Sequence, residues 1–245
     1  GFTDNHNGTG SFSWTPLYNQ AGNYDVIFYA IDDSLARDSE IVTITVNDGG
    51  NQTPVLTAIG NRSTTEAINL TFAISAADPD STIPSFSTST LPSGASFVDN
   101  GNGTGSLSWT PTYIQAGSYP VTFRASDGVA VDSETITITI IDAGNQYPVL
   151  AAIGARSTTE NINLNFSISA TDPDATITAL STSTLPSGAS FTDNGNGTGS
   201  FSWTPTYIQA GNYNVTFYAG DGTLLDSEIV TITVIEAGNQ TPVLA

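Results

Sequence analysis

A block of roughly 94 residues recurs along the chain, and this repetition limits the folds open to it more than any other feature. Three near-copies of the segment NGTGSLSWTPTYIQAGSYPVTF begin at Asn7, Asn102 and Asn196. The tryptophans of these copies, Trp14, Trp109 and Trp203, lie 95 and 94 residues apart. A unit of that length is large enough to bury a core of its own. The chain is therefore expected to be a tandem array of small domains.

The repeat predicts four segments: 1–50 is the C-terminal half of a unit, 51–144 and 145–238 are complete units, and 239–245 starts a further one. Half a sandwich cannot cover its own apolar face, because its partner strands are missing. The simplest expectation is a window from a longer array. The alternative is that a neighbouring chain supplies the missing strands.

Apolar residues alternate with polar ones through most of each unit, which favours β-strands. In the complete repeat 51–144, one strand is predicted to face inward with Ile68, Leu70, Phe72 and Ile74. Trp109 alternates in phase with neighbouring core residues and is therefore predicted to be buried, not to serve as a sugar platform. Seven such strands in one unit predict an all-β fold of tandem seven-stranded Ig-like β-sandwich domains, arranged as a rod.

The formal net charge is −19, and the chain has four Arg and no Lys. Such a surface repels nucleic acids and anionic membranes and attracts cations. Solubility, or adaptation to high salt, is the alternative explanation of this charge. No apolar run is long enough for a membrane span, so no membrane insertion of this segment is expected. Cys is absent and His6 is the only His, which leaves no basis for transition-metal or His-based triad chemistry.

Several motifs resemble one known family. NQxPVLxxIG is followed by a Glu, SAxDPD, GxxSWTPTYxQAGxYxVTFxAxDG and DSExxTITV. This order is similar to that of the Ig-like repeats of bacterial and archaeal surface proteins, close to dystroglycan-type cadherin-like domains. The resemblance covers the whole chain and implies stalks, adhesins and fibres outside the cell, often stiffened by calcium.

The resemblance also implies calcium as a cofactor, bound where one unit follows another. The cadherin-like pattern places ligands on the linkers, on the Asp-Pro-Asp elements and on a Glu of the preceding unit. The matching positions are Asp48, Asn51, Glu66, Asp78, Asp80, Asp142, Asn145, Glu160, Asp172, Asp174, Glu236 and Asn239. Asp127 and Asp221, on the turn before the last strand, are added by the topology described next. The second acidic pair of cadherins, an Asp-Arg-Glu element, has no counterpart in TPTYIQAG, which favours one or two ions at each junction.

The topology of a seven-stranded sandwich supports the same prediction. Its BC, DE and FG loops lie at the end where the chain enters the domain, so Asp78, Asp80, Asp99 and Asp127 are expected beside the linker. Carboxylates gathered without a nearby Lys or Arg repel one another, and a hard divalent cation relieves that repulsion. The alternative interpretation is that Asp-Gly and Asp-Pro-Asp are turn formers whose side chains cap the local backbone.

The same acidic residues recur in every unit, which suits a structural repeat better than an active site. The leading hypothesis is a non-enzymatic segment of an extracellular or cell-surface fibre, stalk or adhesin. Its partners would be neighbouring repeats, other copies in a filament, or a cell-surface or glycan ligand, and not nucleic acid. The alternative is a spacer or carbohydrate-binding module of a secreted polysaccharide-degrading enzyme.

Overall fold

A computed structural model describes residues 1–176 and 178–241, and every regular element in this part of the chain is a β-strand. The strands in chain order are β1 (Phe2–Asp4), β2 (Gly10–Phe12), β3 (Gly22–Ile31), β4 (Arg37–Val46), β5 (Val55–Leu56), β6 (Arg62–Thr65), β7 (Leu70–Ala77), β8 (Ser85–Thr88), β9 (Ser96–Asp99), β10 (Thr104–Trp109), β11 (Gly117–Ser126), β12 (Val131–Ile141), β13 (Val149–Leu150), β14 (Arg156–Thr159), β15 (Leu164–Thr171), β16 (Ala179–Thr182), β17 (Ser190–Asp193), β18 (Thr198–Trp203), β19 (Gly211–Gly220) and β20 (Leu225–Ile235). No helix that could cross a membrane occurs among these residues. The predicted start of a further repeat, 239–245, extends beyond them, because 242–245 lie outside the described residues.

The chain divides into two compact units. The first unit consists of residues 1–64, 68–110 and 117–140. The second unit consists of residues 65–67 and 111–116 and of the described residues from 141 onward. The short segments 65–67 and 111–116 therefore pack with the residues that follow position 141, which places them beside the site described below.

Two four-stranded sheets form each complete repeat. In the first, the strand orders are β5-β7-β10-β9 and β6-β12-β11-β8. In the second, they are β13-β15-β18-β17 and β14-β20-β19-β16. The short strand β14 pairs in parallel with β20, whereas β15, β16, β17 and β19 pair antiparallel with their neighbours. The all-β, Ig-like fold class predicted from alternation is confirmed.

The cores consist of the inward-facing residues that the alternation predicts. Leu107 and Phe123 are fully buried, and Trp109 is 1% exposed. Their counterparts Phe201 and Trp203 are equally buried in the second unit. The prediction that these tryptophans belong to the core is therefore confirmed.

Two details differ from the sequence prediction. Ile68 was predicted to face inward, but it is 59% exposed because β7 begins only at Leu70. The first predicted strand contributes just Val55 and Leu56 to one sheet, and the chain then crosses to add β6 to the other sheet. A short strand that switches sheets leaves little alternation in the sequence, so the sequence pattern does not predict β6 as a separate strand.

The segment 1–50 contains only two hairpin-like pairs, β1 with β2 and β3 with β4. Phe28 packs against Phe2 and Phe12, with ring centroids 5.8 and 5.9 Å apart. Trp14 contacts Tyr24 edge to face at 4.7 Å and remains only half-buried. This segment thus has the second half of a repeat core without the strands that cover it elsewhere.

Candidate functional site

An acidic pocket of about 360 Å³ opens within the second unit. Its lining residues are Glu66, Tyr113, Ile114, Ala116, Asp142, Gly144, Asn145 and Asp174. Four of the residues predicted from sequence as metal ligands therefore meet in one cavity. They come from three separate stretches of sequence, one of which is the 142–145 connection, and only the fold brings these stretches together.

Glu66 is the buried acid of this pocket, with 2% of its surface exposed. Its Oε1 accepts a hydrogen bond from the Gln115 amide at 3.0 Å, and its Oε2 accepts one from the Ala143 amide at 3.1 Å. One carboxylate thus connects the 111–116 loop to the 142–145 connection. Hydrogen bonds from amides to a charged acceptor are stronger than those to a neutral one.

Glu160 repeats this arrangement near the end of the described chain. It is also 2% exposed, and its two oxygens accept from the Ala210 and Ala237 amides, each at 3.1 Å. Glu236 and Asn239, predicted as further ligands beside it, lie on the exposed connection that follows β20. The structure therefore gives the two repeat glutamates a common role as anchors of the backbone.

The Asp-Pro-Asp element is held in a tight turn beside the connection. Asp172 Oδ1 accepts from the Asp174 amide at 2.8 Å, and Asp174 Oδ2 accepts from the Gln146 amide. Asp142 Oδ1 caps the next turn by accepting from the Gly144 amide at 2.7 Å. Turn formation, the alternative interpretation of these acids, is therefore part of what they do.

One oxygen of this element is left without a partner. Asp172 Oδ2 is buried, and it receives no hydrogen bond from any residue that the structure describes. Asp78 Oδ2 in the first unit is buried and unpartnered in the same way. A buried carboxylate oxygen without a donor is costly, since nothing replaces the water it has lost.

Asn145 connects the acidic pocket to the turn before β20. Its amide nitrogen donates to Asp221 Oδ2 at 2.7 Å and to Thr223 Oγ1 at 2.8 Å. The amides of Leu224 and Thr223 donate to Asp221 Oδ1, and together with Asn145 they hold the pKa of Asp221 far below its ordinary value. Asp221 is therefore ionised at any physiological pH.

The stability of the second unit should therefore depend on pH in the acid range. Because the pKa of Asp221 is lowered in the folded state, its contribution is complete above the unfolded value of about 3.9 and is lost as pH falls towards the folded value. Asp221→Asn should flatten the fall of the urea midpoint between about pH 4 and pH 2, since the amide does not titrate there. Asp33→Asn, on the exposed turn between β3 and β4, is the control. An unchanged pH profile in Asp221→Asn would contradict this assignment.

The first unit carries a related cluster at the connection before β5. Asn51 donates to Asp127 Oδ2 at 2.8 Å, and the amide of Gln52 donates to Asp80 Oδ2. Asp48 accepts from the Gly50 amide at 2.9 Å. The remaining predicted residue of this cluster is Asp78, whose Oδ1 accepts from the Asp80 amide at 2.7 Å.

Bonds from the Ala130 and Val129 amides, followed by that from Asn51, lower the pKa of Asp127. The bond from Asn51 to Asp127 in the first unit repeats the bond from Asn145 to Asp221 in the second.

The acids do not form a closed metal cage. Among residues 1–176 and 178–241, no three His, Asp or Glu side chains lie close enough together to surround one cation. Backbone amides already occupy at least one oxygen of each pocket carboxylate. The sequence could indicate which acids share a region, but not how many of their oxygens the backbone would use.

Sequence reasoning also missed a second use of acidic residues, in the DSE motif that opens each last strand. Asp132 Oδ2 accepts from the Leu56 amide at 2.8 Å. Glu134 accepts from the amides of Ile59 and Gly60 at 2.7 and 2.9 Å. The signal was available, because acids two positions apart face the same side of a strand. They fix the crossing from β5 to β6.

Comparison with known proteins connects this architecture to one family. The family described as "Putative Ig domain" matches residues 53–141 and 147–235. No curated protein matches the chain in sequence.

Solved structures with similar folds include an endo-fucoidan hydrolase, MfFcnA4, from glycoside hydrolase family 107, at 21% identity and a TM-score of 0.40. The alignment covers 97% of this chain and 37% of the hydrolase, so the chain spans little more than a third of that protein. The human desmocollin-1 ectodomain aligns at 13% identity and a TM-score of 0.44, over 87% of this chain and 47% of its own.

The titin domains z1z2, in complex with telethonin, align at 11% identity and a TM-score of 0.37, over 77% of this chain and 100% of theirs. Similarities of this size carry no conclusion about function. The family match extends over most of the chain and coincides with both two-sheet repeats. The chain therefore belongs to the Putative Ig domain family and contains two complete copies of its domain in tandem.

Proposed function

We propose that the chain is a non-enzymatic structural segment of an extracellular fibre, stalk or adhesin, and that its acidic pocket binds calcium. The observation that carries the calcium proposal is the unpartnered, buried Oδ2 of Asp172 in the turn that brings Asp174 to the pocket. A buried carboxylate oxygen that accepts no hydrogen bond is available to coordinate a hard cation.

The charge around the pocket supports this proposal. Glu66, Asp142 and Asp174 line one cavity, and none of them forms an ion pair with Lys or Arg in the described part of the chain. Arg62 and Arg156 instead lie over the rings of Phe72 and Phe166. The negative charges of these carboxylates repel one another when no counterion is near. A divalent cation bound between them would offset that repulsion.

The donor set fits calcium better than a transition metal. The candidate ligands are carboxylate and amide oxygens, and the chain has no Cys. Glu66 has both oxygens bonded to backbone amides, so the remaining oxygens of Asp142, Asn145, Asp172 and Asp174 are the candidates to hold the ion. The lack of a closed cage predicts a weak site, of the kind that extracellular modules use at millimolar calcium.

A bound ion would act on the backbone through these side chains. Asp142 and Asn145 lie on the connection between the two repeats, and Asp172 and Asp174 lie on the turn after β15. Cross-linking the connection to that turn would restrict it, while the two cores are complete without the ion. Stiffening of the array, with no change of fold, is the expected consequence.

The burial of two repeat tryptophans bears on the carbohydrate-binding alternative. Trp109 and Trp203 are 1% exposed and cannot stack on a sugar ring. The repetition of the pocket acids in each repeat suits a structural role. These observations favour the fibre, stalk or adhesin segment over a sugar-binding module.

Calcium titration tests this proposal. At a calcium concentration about 100 times the Kd, binding should stabilise the chain by about 2.7 kcal/mol, whereas magnesium at the same ionic strength should do much less. Melting temperature in calcium, in magnesium and in chelator measures this effect. The double variant Asp172→Asn and Asp174→Asn should lose the response, and Asp33→Asn should keep it.

Two results would overturn the proposal. A melting temperature that is the same in calcium and in chelator would show that the acids are only turn formers. Saturable binding of a polysaccharide to the chain, unaffected by chelator, would favour the carbohydrate-binding alternative.

A further inference from the structure

The hairpin loop before each strand that ends in a buried Trp contains Asn-Gly-Thr, which has the Asn-x-Thr pattern of an acceptor for N-linked glycosylation. We propose that Asn102, between β9 and β10, and Asn196, between β17 and β18, are glycosylation sites. Because this modification belongs to secreted chains, the inference rests on the extracellular location proposed above. It is independent of calcium binding.

Both asparagines lie at the exposed tips of their hairpins. Within the described part of the chain, neither Nδ2 donates a hydrogen bond, so the atom that would carry the sugar is available. The neighbouring Gly101 and Gly195 have open space where a Cβ would lie. A glycan on Nδ2 would therefore extend into solvent without displacing a contact of the fold.

A chain of hydrogen bonds orients the carboxamide of Asn102. Asn100 Nδ2 donates to Thr104 Oγ1 at 2.9 Å, and Thr104 Oγ1 donates to Asn102 Oδ1 at 2.6 Å. The Thr104 amide donates to the same Oδ1 at 3.2 Å. A hydroxyl has only one proton, and that of Thr104 points at Asn102 because its oxygen already accepts from Asn100.

The second complete repeat has the same arrangement. Asn194 Nδ2 donates to Thr198 Oγ1 at 2.9 Å, and Thr198 Oγ1 donates to Asn196 Oδ1 at 2.6 Å. The Thr198 amide donates to that Oδ1 at 3.1 Å. Thr9 and Asn7 form the equivalent hydroxyl bond at 2.7 Å. The geometry therefore belongs to the loop sequence and not to one packing contact.

This geometry suits the chemistry of glycan transfer. Nδ2 of the asparagine attacks C1 of a sugar carried by a lipid phosphate, and the bond from C1 to the phosphate oxygen breaks. The phosphate leaves with the electron pair, and Nδ2 loses one of its two protons to a base of the transferase. The carboxamide oxygen becomes more negative as that proton leaves, so the bond from the Thr hydroxyl becomes stronger at this step.

Another Asn-x-Thr sequence, which begins at Asn69, lacks this geometry. Asn69 Nδ2 donates to Ser108 Oγ at 3.3 Å and to Thr110 Oγ1 at 2.9 Å. The hydroxyl two positions further on, that of Thr71, donates to the Leu107 carbonyl at 3.0 Å and not to Asn69. The fold therefore engages both the nitrogen and the hydroxyl of this sequence elsewhere, which makes it a matched control.

Glycan transfer in vitro tests the two sites. The folded full chain is incubated with a purified oligosaccharyltransferase and a lipid-linked oligosaccharide, and mass spectrometry of proteolytic peptides measures the occupancy of each asparagine. Asn102 and Asn196 should be modified, and Asn69 at least about tenfold more slowly. A synthetic peptide of residues 64–74 should lose this disadvantage at Asn69, because it lacks Ser108 and Thr110.

Variants test the role of the hydrogen-bonded chain. Asn100→Ala should slow transfer to Asn102 about two- to tenfold, because one neutral hydrogen bond is lost. Asn196 in the same molecule should be unchanged, which shows that the protein is still folded. Asn194→Ala should have the reverse effect. Thr104→Ser keeps the hydroxyl and should keep the site at Asn102, whereas Thr104→Val should abolish it.

Mass spectrometry of the chain purified from its own source separates this inference from the proposed function. Glycans are expected on Asn102 and Asn196. An exported chain with both asparagines unmodified would overturn the glycosylation inference alone, whereas a chain retained in the cytoplasm would overturn the proposed location and this inference with it.

Two results of the transfer assay would also contradict the inference. Equal rates at Asn69 and Asn102 in the folded chain would show that the fold does not select the hairpin sites. An unchanged rate at Asn102 in Asn100→Ala would show that the hydrogen-bonded chain has no part in the reaction.

Discussion

Replacing Trp203 with alanine is expected to lower the free energy of unfolding of its repeat by about 3–5 kcal/mol. Trp203 is 1% exposed, so its removal leaves a large cavity. The substitution also deletes the bond from Nε1 to the Ser187 carbonyl and the edge-to-face contact with Tyr213, whose ring centroid lies 4.9 Å away. Urea unfolding followed by circular dichroism measures the change.

The chain contains a matched control at the equivalent position of its first segment. Trp14 has the same contact with a tyrosine but is only half-buried and lacks the bond from Nε1. Trp14→Ala should therefore cost clearly less than Trp203→Ala. Equal losses would contradict the conclusion that segment 1–50 has an uncovered core.

Glu160→Ala is the second substitution with a large expected effect. The buried carboxylate accepts the amides of Ala210 and Ala237, and charge-assisted bonds of this kind contribute about 1.5–3 kcal/mol each. A loss of about 3–6 kcal/mol is therefore expected for the alanine variant, in the same urea assay. Glu160→Gln should lose about half as much, because an amide keeps one acceptor oxygen.

Hydrogen exchange separates this role from simple packing. The amides of Ala210 and Ala237 should exchange faster in Glu160→Ala and in Glu160→Gln, while amides in the middle of β19 should be unaffected in Glu160→Gln. If Glu160→Gln matched the unsubstituted chain in both assays, the carboxylate would not be the anchor of this connection.

Much of the fold could be predicted from the sequence, because its signals are local. Strand alternation and the repeat of Trp109 at Trp203 are both visible without a structure. The Tyr213 hydroxyl donates to the Gln209 carbonyl at 3.1 Å, which is the bond of a tyrosine corner. The exposure of Ile68 could not be predicted, because the start of a strand depends on its pairing and not on its own residue types.

Only part of the candidate site matches the group predicted from the sequence. Glu66, Asp142, Asn145 and Asp174 line one pocket, whereas Asp172, predicted with them, is not among its lining residues. The sequence could not show that both oxygens of Glu66 accept backbone amides, since those amides come from residues 49 and 77 positions away. That Asp172 Oδ2 is buried without a hydrogen-bond donor is likewise visible only in the structure.

Small-angle scattering of the chain in calcium and in chelator tests the central claim most directly. The chain is proposed to be a structural segment whose inter-repeat connection is restrained by an ion held near Asp142 and Asp174. Calcium should therefore narrow the distribution of maximum dimensions, and Asp172→Asn with Asp174→Asn should show the chelator distribution in both conditions. A distribution that does not respond to calcium in the unsubstituted chain would contradict the account.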